Sequence, residues 1–206
     1  MNAPSLTPDA ALARLIEGNR QFVADEAHGP DLSVERRMEL ARGQRPFAAL
    51  VGCADSRVGP EHLFGAGLGE LFIVRTAGNY LDDAGFGSIA FAVAELGVSL
   101  IVVLGHEKCG AVAAATAVLT DNAQLPPALT RMVQPILPSV IDAKATFDGQ
   151  GDLLDRAVHC HVGRVVRSLR TASDPIVGDP VRSGQVKVVG AYYDLTTGHV
   201  DFFDRD

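Results

Sequence analysis

Short apolar runs alternate along the chain with segments in which apolar residues recur at helical spacing. Three runs are almost wholly apolar, as is typical of buried parallel strands, and they cover residues 47–52, 71–74 and 100–104. Helical patterns lie between them, at residues 61–64 and 88–96. The alternation of strand and helix predicts a parallel sheet with crossover helices.

Two helices are predicted before the first strand. Thr7 followed by Pro8 has the form of a cap and a first helical residue, and apolar side chains recur at helical spacing from Leu12 to Val23. A second helix is expected to run from a cap at Ser33 toward Gly43. These helices would form an N-terminal arm over residues 1–45.

The second half of the chain predicts further helices and a final pair of strands. The Ala-rich residues 111–119 favour a tightly packed helix, two prolines then interrupt the pattern, and further helices are expected near residues 128–145 and 152–169. Two strand-like runs, 186–193 and 199–203, are joined through Thr197-Gly198 and can pair as an edge hairpin.

The predicted fold class is therefore α/β. We expect a mainly parallel central sheet of about four strands with an antiparallel edge strand, flanked by helices. No internal repeat or long linker divides the chain, so residues 1–206 are interpreted as a single domain, with the arm at 1–45 and the α/β core at 46–206.

Composition narrows the class of protein. A formal charge of −7 argues against a phosphate-binding face for nucleic acid, which needs clustered Lys and Arg. The start of the chain lacks a signal-peptide pattern, and no segment approaches the roughly 20 apolar residues that cross a bilayer. Three scattered cysteines are too few for a disulfide framework and favour a reducing compartment. We expect a cytoplasmic protein without membrane or nucleic-acid partners.

The residues that carry chemistry follow the first and third predicted strands. In an extended backbone Cys53, Asp55 and Arg57 would point to one side. If a helix begins after the third strand, His106 and Cys109 would face the same way across its first turn. Ligands of open parallel sheets gather beyond the carboxyl ends of strands, so the two segments would meet if the first and third strands are neighbours.

Two thiolates and one imidazole form a natural zinc set with a fourth position left over. Zinc with Cys53, His106 and Cys109 is formally neutral, so Asp55 as the fourth ligand would leave a charge that Arg57 can balance. Alternatively, Arg57 holds Asp55 away from the metal and water takes the fourth place. We expect one Zn²⁺ per chain, and the residues leave both arrangements open.

Two motifs together resemble the β-class carbonic anhydrases. They are residues 53–57, Cys-Ala-Asp-Ser-Arg, and, about fifty residues later, residues 105–110, Gly-His-Glu-Lys-Cys-Gly. Segments at 18–22, 74–79 and 190–194 are also similar to that family, so the resemblance covers most of the chain.

The resemblance implies zinc-dependent, reversible hydration of carbon dioxide to bicarbonate and a proton. It implies that Asp55 and Arg57 form a catalytic dyad, with Asp55 either ligating zinc or accepting a hydrogen bond. The Gly110 N–H would help to orient the substrate, and Gln44 resembles a glutamine that lines the pocket in plant-type members. It also implies a homodimer or a dimer-based homo-oligomer, with the N-terminal helices crossing the interface.

Some features depart from the family or compete with it. Ala90-Phe91 stands where many members have Glu-Tyr, and the chain contains no tryptophan, which a non-catalytic bicarbonate site of some bacterial members uses. The alternatives are a carbonyl sulfide or carbon disulfide hydrolase on the same site, and a zinc-binding homologue without turnover. His62 and the His159-Cys160-His161 run are interpreted as surface or packing residues rather than as proton relay or metal ligands.

Overall fold

The computed structural model describes residues 6–27, 29 and 31–205. A sheet with the strand order β2-β1-β3-β4-β5 forms the centre of the molecule. The first four strands in chain order pair in parallel, and β5 pairs with β4 in the antiparallel direction. The strands are β1 (Ala48–Cys53), β2 (Leu71–Thr76), β3 (Leu100–His106), β4 (Lys187–Tyr193) and β5 (Val200–Asp204).

Helices cover both faces of this sheet. In chain order they are α1 (Pro8–Val23), α2 (Val34–Leu40), α3 (Pro60–Leu63), α4 (Asp83–Ala94), α5 (Gly110–Thr120), α6 (Pro127–Val133), α7 (Leu137–Ala145), α8 (Leu153–Arg170) and α9 (Pro175–Arg182). One apolar cluster joins α1 and α3 to one face of the sheet, and a second joins α4, α8 and α9 to the other. A 3₁₀ turn, Ala77–Asn79, follows β2.

These observations confirm the predicted fold class. Every residue of β1 and β3 is buried, because both strands lie inside the sheet and are covered by helices on both faces. The antiparallel edge strand also lies where the sequence predicted it. The division into an arm and a core is a separate interpretation, and it stays a prediction.

Three helical regions differ from the sequence-based expectation. Helix α4 begins at Asp83, five residues before the predicted start, because Asp82 caps it by accepting a hydrogen bond from the Gly85 N–H at 2.7 Å. The predicted helix at 128–145 is two helices, since Pro135 between them has no N–H to continue the first. Helix α9, which has an internal proline at Pro180, was not predicted.

The N-terminal helix is fixed to the sheet by a buried amide. Thr7 caps α1 by accepting a hydrogen bond from the Ala10 N–H, as its sequence predicted. Asn19, 3 % exposed, donates to the Gly198 carbonyl at 2.9 Å and accepts from the Val200 N–H at 2.8 Å. No helix among the described residues has the length and apolar character needed to cross a membrane.

The topology places a crevice between β1 and β3. The chain leaves β1 through α3 toward β2 on one face of the sheet. It leaves β3 through α5 to α9 toward β4, with α8 and α9 packed on the other face. Strands β1 and β3 are direct neighbours, with Gly52 paired to Leu104. The connections after them therefore diverge at their carboxyl ends, which is where ligands bind in open α/β sheets.

Candidate metal centre

Three buried side chains that the sequence singled out lie together in this crevice. Cys53 is the last residue of β1, His106 is the last residue of β3, and Cys109 caps the N-terminus of α5. Their candidate ligand atoms all lie within 4.8 Å of one another, and the two sulfurs are 4.0 Å apart. The two segments predicted to meet do meet.

His106 presents a lone pair to this group. Its Nδ1 lies 2.8 Å from the Glu107 carbonyl oxygen, which can only accept, so Nδ1 carries the proton and donates it. Its Nε2 is then unprotonated, and this buried atom has no hydrogen-bond partner among the described residues. An orphaned imidazole nitrogen beside two sulfurs is the donor arrangement that zinc prefers.

The two thiols differ in how readily they ionise. The pKa of Cys53 is lowered well below its ordinary value, chiefly because the Cys109 thiol donates a hydrogen bond to its thiolate, with nearby backbone N–H groups assisting. The pKa of Cys109 is raised well above its ordinary value, because Cys53 holds its proton and burial disfavours a second thiolate. The pair thus gives up one proton easily, and a cation is needed to stabilise the doubly ionised form.

Gly78 stabilises the Cys53 thiolate through a backbone hydrogen bond. Its N–H donates to Cys53 Sγ at 3.3 Å, and its φ of 73° is a left-handed conformation that favours glycine. Sequence reasoning assigned Gly78 no role in the site. The available signal was a glycine placed just after the carboxyl end of an apolar strand.

Asp55 and Arg57 form a close ion pair beside the cluster. Asp55 Oδ1 accepts from the Arg57 backbone N–H at 2.9 Å and from Nε at 3.0 Å, and Oδ2 accepts from Nη2 at 2.7 Å. The Arg57 guanidinium therefore holds the pKa of Asp55 well below its usual range. Asp55 Oδ2 lies 3.9 Å from His106 Nε2, so its carboxylate borders the metal group.

The local backbone corrects two expectations about how these residues are presented. Strand β1 ends at Cys53, and a turn closed by a Val58 N–H to Asp55 carbonyl hydrogen bond brings Arg57 back over Asp55. The three side chains are therefore not aligned by an extended strand. His106 belongs to β3 rather than to the first turn of α5, since Lys108 has a φ of 53° between the two elements.

The two residues predicted to bind substrate lie in different surroundings. Gly110 is the exposed first residue of α5, directly after Cys109, and its Cβ position faces open space. Gln44 is exposed and lines a surface groove with Leu40 and Gly43. That groove contains none of the three residues of the metal group. Among the described residues of a single chain, Gln44 therefore lies outside the candidate site.

The other histidines of interest have partners of their own. His159 donates from Nδ1 to the Asp155 carbonyl at 2.8 Å and stacks on Tyr192 with ring centroids 4.4 Å apart. His161 is 1 % exposed, its Nδ1 lies 3.1 Å from Ser139 Oγ, and burial lowers its pKa to about 4. His62 is exposed on α3.

Comparison with known proteins identifies close relatives. A family model described as carbonic anhydrase matches residues 48–200. Carbonic anhydrase 2 of Mycobacterium tuberculosis is 43% identical over 203 residues, covering 98% of this chain and 96% of the relative.

Solved structures show the same fold. The β-carbonic anhydrase CafA of Aspergillus fumigatus superimposes with a TM-score of 0.74 at 27% identity, over 95% of this chain and 90% of that one. A structure from Sordaria macrospora, described as one of two tetrameric β-carbonic anhydrases, gives a TM-score of 0.73 at 23% identity, over 93% of this chain and 96% of that one.

Proposed function

Because the chain belongs to the β-class carbonic anhydrase family, we propose that it catalyses the zinc-dependent, reversible hydration of carbon dioxide to bicarbonate and a proton. The observation that carries this proposal is the buried group of Cys53, His106 and Cys109, whose ligand atoms lie within 4.8 Å of one another. It stands in the crevice between the two central strands of the sheet.

Cys53, His106 and Cys109 are proposed to hold one Zn²⁺ per chain. Two thiolates and a neutral imidazole balance the ion's charge and leave room for a fourth ligand. When bound, zinc would supply the Lewis acidity that lowers the pKa of a water molecule toward about 7, so that hydroxide is available near neutral pH.

Asp55 and Arg57 are proposed to orient the nucleophile. Since Arg57 keeps Asp55 ionised, this carboxylate can only accept hydrogen bonds. It would accept a hydrogen bond from the O–H of the attacking hydroxide and so direct an oxygen lone pair toward the carbon of carbon dioxide. Both Asp55 oxygens already accept from Arg57, which favours an arrangement in which Arg57 keeps the carboxylate off the metal.

The Gly110 N–H is proposed to help orient the substrate by donating a hydrogen bond to the bicarbonate that forms from it. Its N–H lies at the N-terminus of α5, where the helix dipole favours negative charge, and the space beside its Cα is open. An oxygen of the forming bicarbonate would accept a hydrogen bond there. The substrate-binding role of Gln44 stays a prediction that needs a second chain.

A homodimer or a larger homo-oligomer is proposed as the working form, in the cytoplasm. Helix α2 buries none of its residues, and Leu32, Val34 and Met38 each expose more than half of their surface. Apolar surface of this kind marks protein interfaces, and the Sordaria macrospora neighbour is described as tetrameric.

Stopped-flow hydration with a pH indicator, on a sample of measured zinc content, tests the proposed reaction. We expect rapid acidification that chelator-treated, zinc-free protein lacks and that added zinc restores. Loss of carbonyl sulfide from the headspace without carbon dioxide hydration would instead favour the hydrolase. Bound zinc with neither activity would favour a non-catalytic homologue.

A further inference from the structure

Arg75 lies at the carboxyl end of β2, beside the strand that carries Cys53. In the parallel pairing of β1 with β2, Arg75 is opposite Gly52. Its side chain crosses to the end of β1, where Nε donates to the Cys53 carbonyl at 2.8 Å and Nη2 donates to the Asp55 carbonyl at 2.7 Å. No salt bridge among the described residues includes Arg75, and these two carbonyls are its hydrogen-bond partners.

These contacts lie where the pairing of β1 with its neighbouring strands ends. The pairing of β1 with β3 ends at Gly52, and that with β2 ends at Cys53. Beyond this point the backbone turns. The Ala54 N–H still donates to the Thr76 carbonyl, but the Cys53 carbonyl accepts from Arg75, and the Asp55 carbonyl accepts from Arg75 and from the Val58 N–H. The planar guanidinium holds both of these carbonyls with a rigid fork of N–H groups, which fixes their relative orientation.

The segment held in this way carries two parts of the proposed site. Cys53 supplies one sulfur, and Asp55 supplies the carboxylate paired with Arg57. The direction of a Cα–Cβ bond follows from the backbone at that residue. Fixing the two carbonyls therefore fixes where the Cys53 sulfur and the Asp55 carboxylate point.

We propose that Arg75 is a positioning residue of the metal centre, which acts through the Cys53 and Asp55 carbonyls to set the placement of the Cys53 thiolate and the Asp55 carboxylate. This inference rests on the proposed function, since it assumes that Cys53 binds zinc. Among the described residues Arg75 donates its hydrogen bonds to backbone carbonyls, not to the sulfur or the carboxylate, so its effect on zinc and on turnover is indirect.

Arg170 provides a matched control elsewhere in the fold. It also donates from Nε and Nη2 to a strand carbonyl, that of Val188 in β4, at 3.2 and 2.6 Å. It also pairs with Asp204, and Val188 belongs to a core cluster that contains none of the metal group. Replacing Arg170 removes an arginine–carbonyl contact of the same kind without touching the Cys53–Asp55 segment.

The experiment compares R75K, R75M and R170M as zinc-loaded full-length proteins. The first readout is the rate of zinc release to an excess of a chromogenic chelator, and the second is the sulfur-to-metal charge-transfer absorption after cobalt substitution. Urea denaturation measures stability on the same samples, and carbon dioxide hydration is recorded last.

We expect R75M to release zinc about 10- to 100-fold faster than the wild type, since losing a group that orients a metal ligand typically lowers metal affinity by about that factor. R75K keeps the positive charge but lacks the planar guanidinium that bonds to two carbonyls at once. It should therefore release zinc as fast as R75M, and both variants should alter the cobalt spectrum. R170M should lower the urea midpoint while its zinc release and spectrum stay unchanged.

Wild-type release rates and an unchanged cobalt spectrum in both Arg75 variants would overturn the inference, as would equal effects on zinc release in R170M. If R75M fails to fold, R75K decides between the outcomes. The proposed function fails separately, because it is contradicted when the zinc-loaded wild type does not hydrate carbon dioxide, whatever the release rates.

Discussion

Replacing Gly78 with alanine perturbs the backbone that supports the Cys53 thiolate. The Gly78 φ of 73° is left-handed, and a Cβ atom there would lie 2.7 Å from Ile136 Cδ1 and 3.0 Å from Ala111 Cβ. The substitution therefore combines a disfavoured backbone conformation with a clash against the packed α5–α7 region.

Both costs can be estimated. The left-handed conformation costs a non-glycine residue about 1–2 kcal/mol, and overpacking in a filled core adds about 1–3 kcal/mol. We therefore expect G78A to lower the free energy of unfolding by about 2–5 kcal/mol. Because domains are stable by about 5–15 kcal/mol, the variant should remain measurable.

Urea denaturation of G78A and of a matched G163A variant measures this difference. Gly163 lies inside α8 with nothing within 4 Å of its Cβ position, so G163A should raise stability by about 0.5–1 kcal/mol. The loss in G78A should persist with a chelator present, because strain and clash do not depend on metal. A G78A protein as stable as the wild type, or a G163A protein destabilised to the same extent, would refute this reasoning.

Two further predictions concern buried polar side chains. N19A should lower the free energy of unfolding, measured by urea denaturation, by about 1–3 kcal/mol, because it leaves the buried Val200 N–H and the Gly198 carbonyl without their partner. An unchanged urea midpoint would contradict the role of Asn19 in fixing α1 to the sheet. The pKa of His161 is about 4 in the fold against an ordinary 6.5, so below pH 6.5 the unfolded chain binds a proton that the fold excludes. Stability should fall by up to about 3 kcal/mol as pH drops from 6.5 to 4, and H161Q should be less pH-dependent over that window; parallel profiles would exclude His161 as the cause.

Much of the fold followed from the sequence because its strongest signals are local. The apolar runs of β1 and β3 are typical of strands buried on both faces, and the caps at Thr7 and Ser33 mark helix starts directly. The meeting of Cys53 with His106 and Cys109 followed from one topological rule about the carboxyl ends of neighbouring strands.

The features that sequence reasoning missed depend on backbone geometry. The turn that returns Arg57 to Asp55 has no periodic pattern, and neither does the left-handed Gly78 whose N–H reaches Cys53 Sγ. The break between α6 and α7 follows from Pro135, which the helical pattern of residues 128–145 masked.

Zinc content and carbon dioxide hydration, measured together on the wild type, C109A and C160A, test the central claim most directly. Cys160 is partly buried and outside the metal group, so C160A controls for the loss of a thiol. We expect one zinc per chain and full turnover in the wild type and C160A, and loss of both in C109A. Turnover in C109A protein without zinc, or equal zinc binding in all three, would contradict the metal centre.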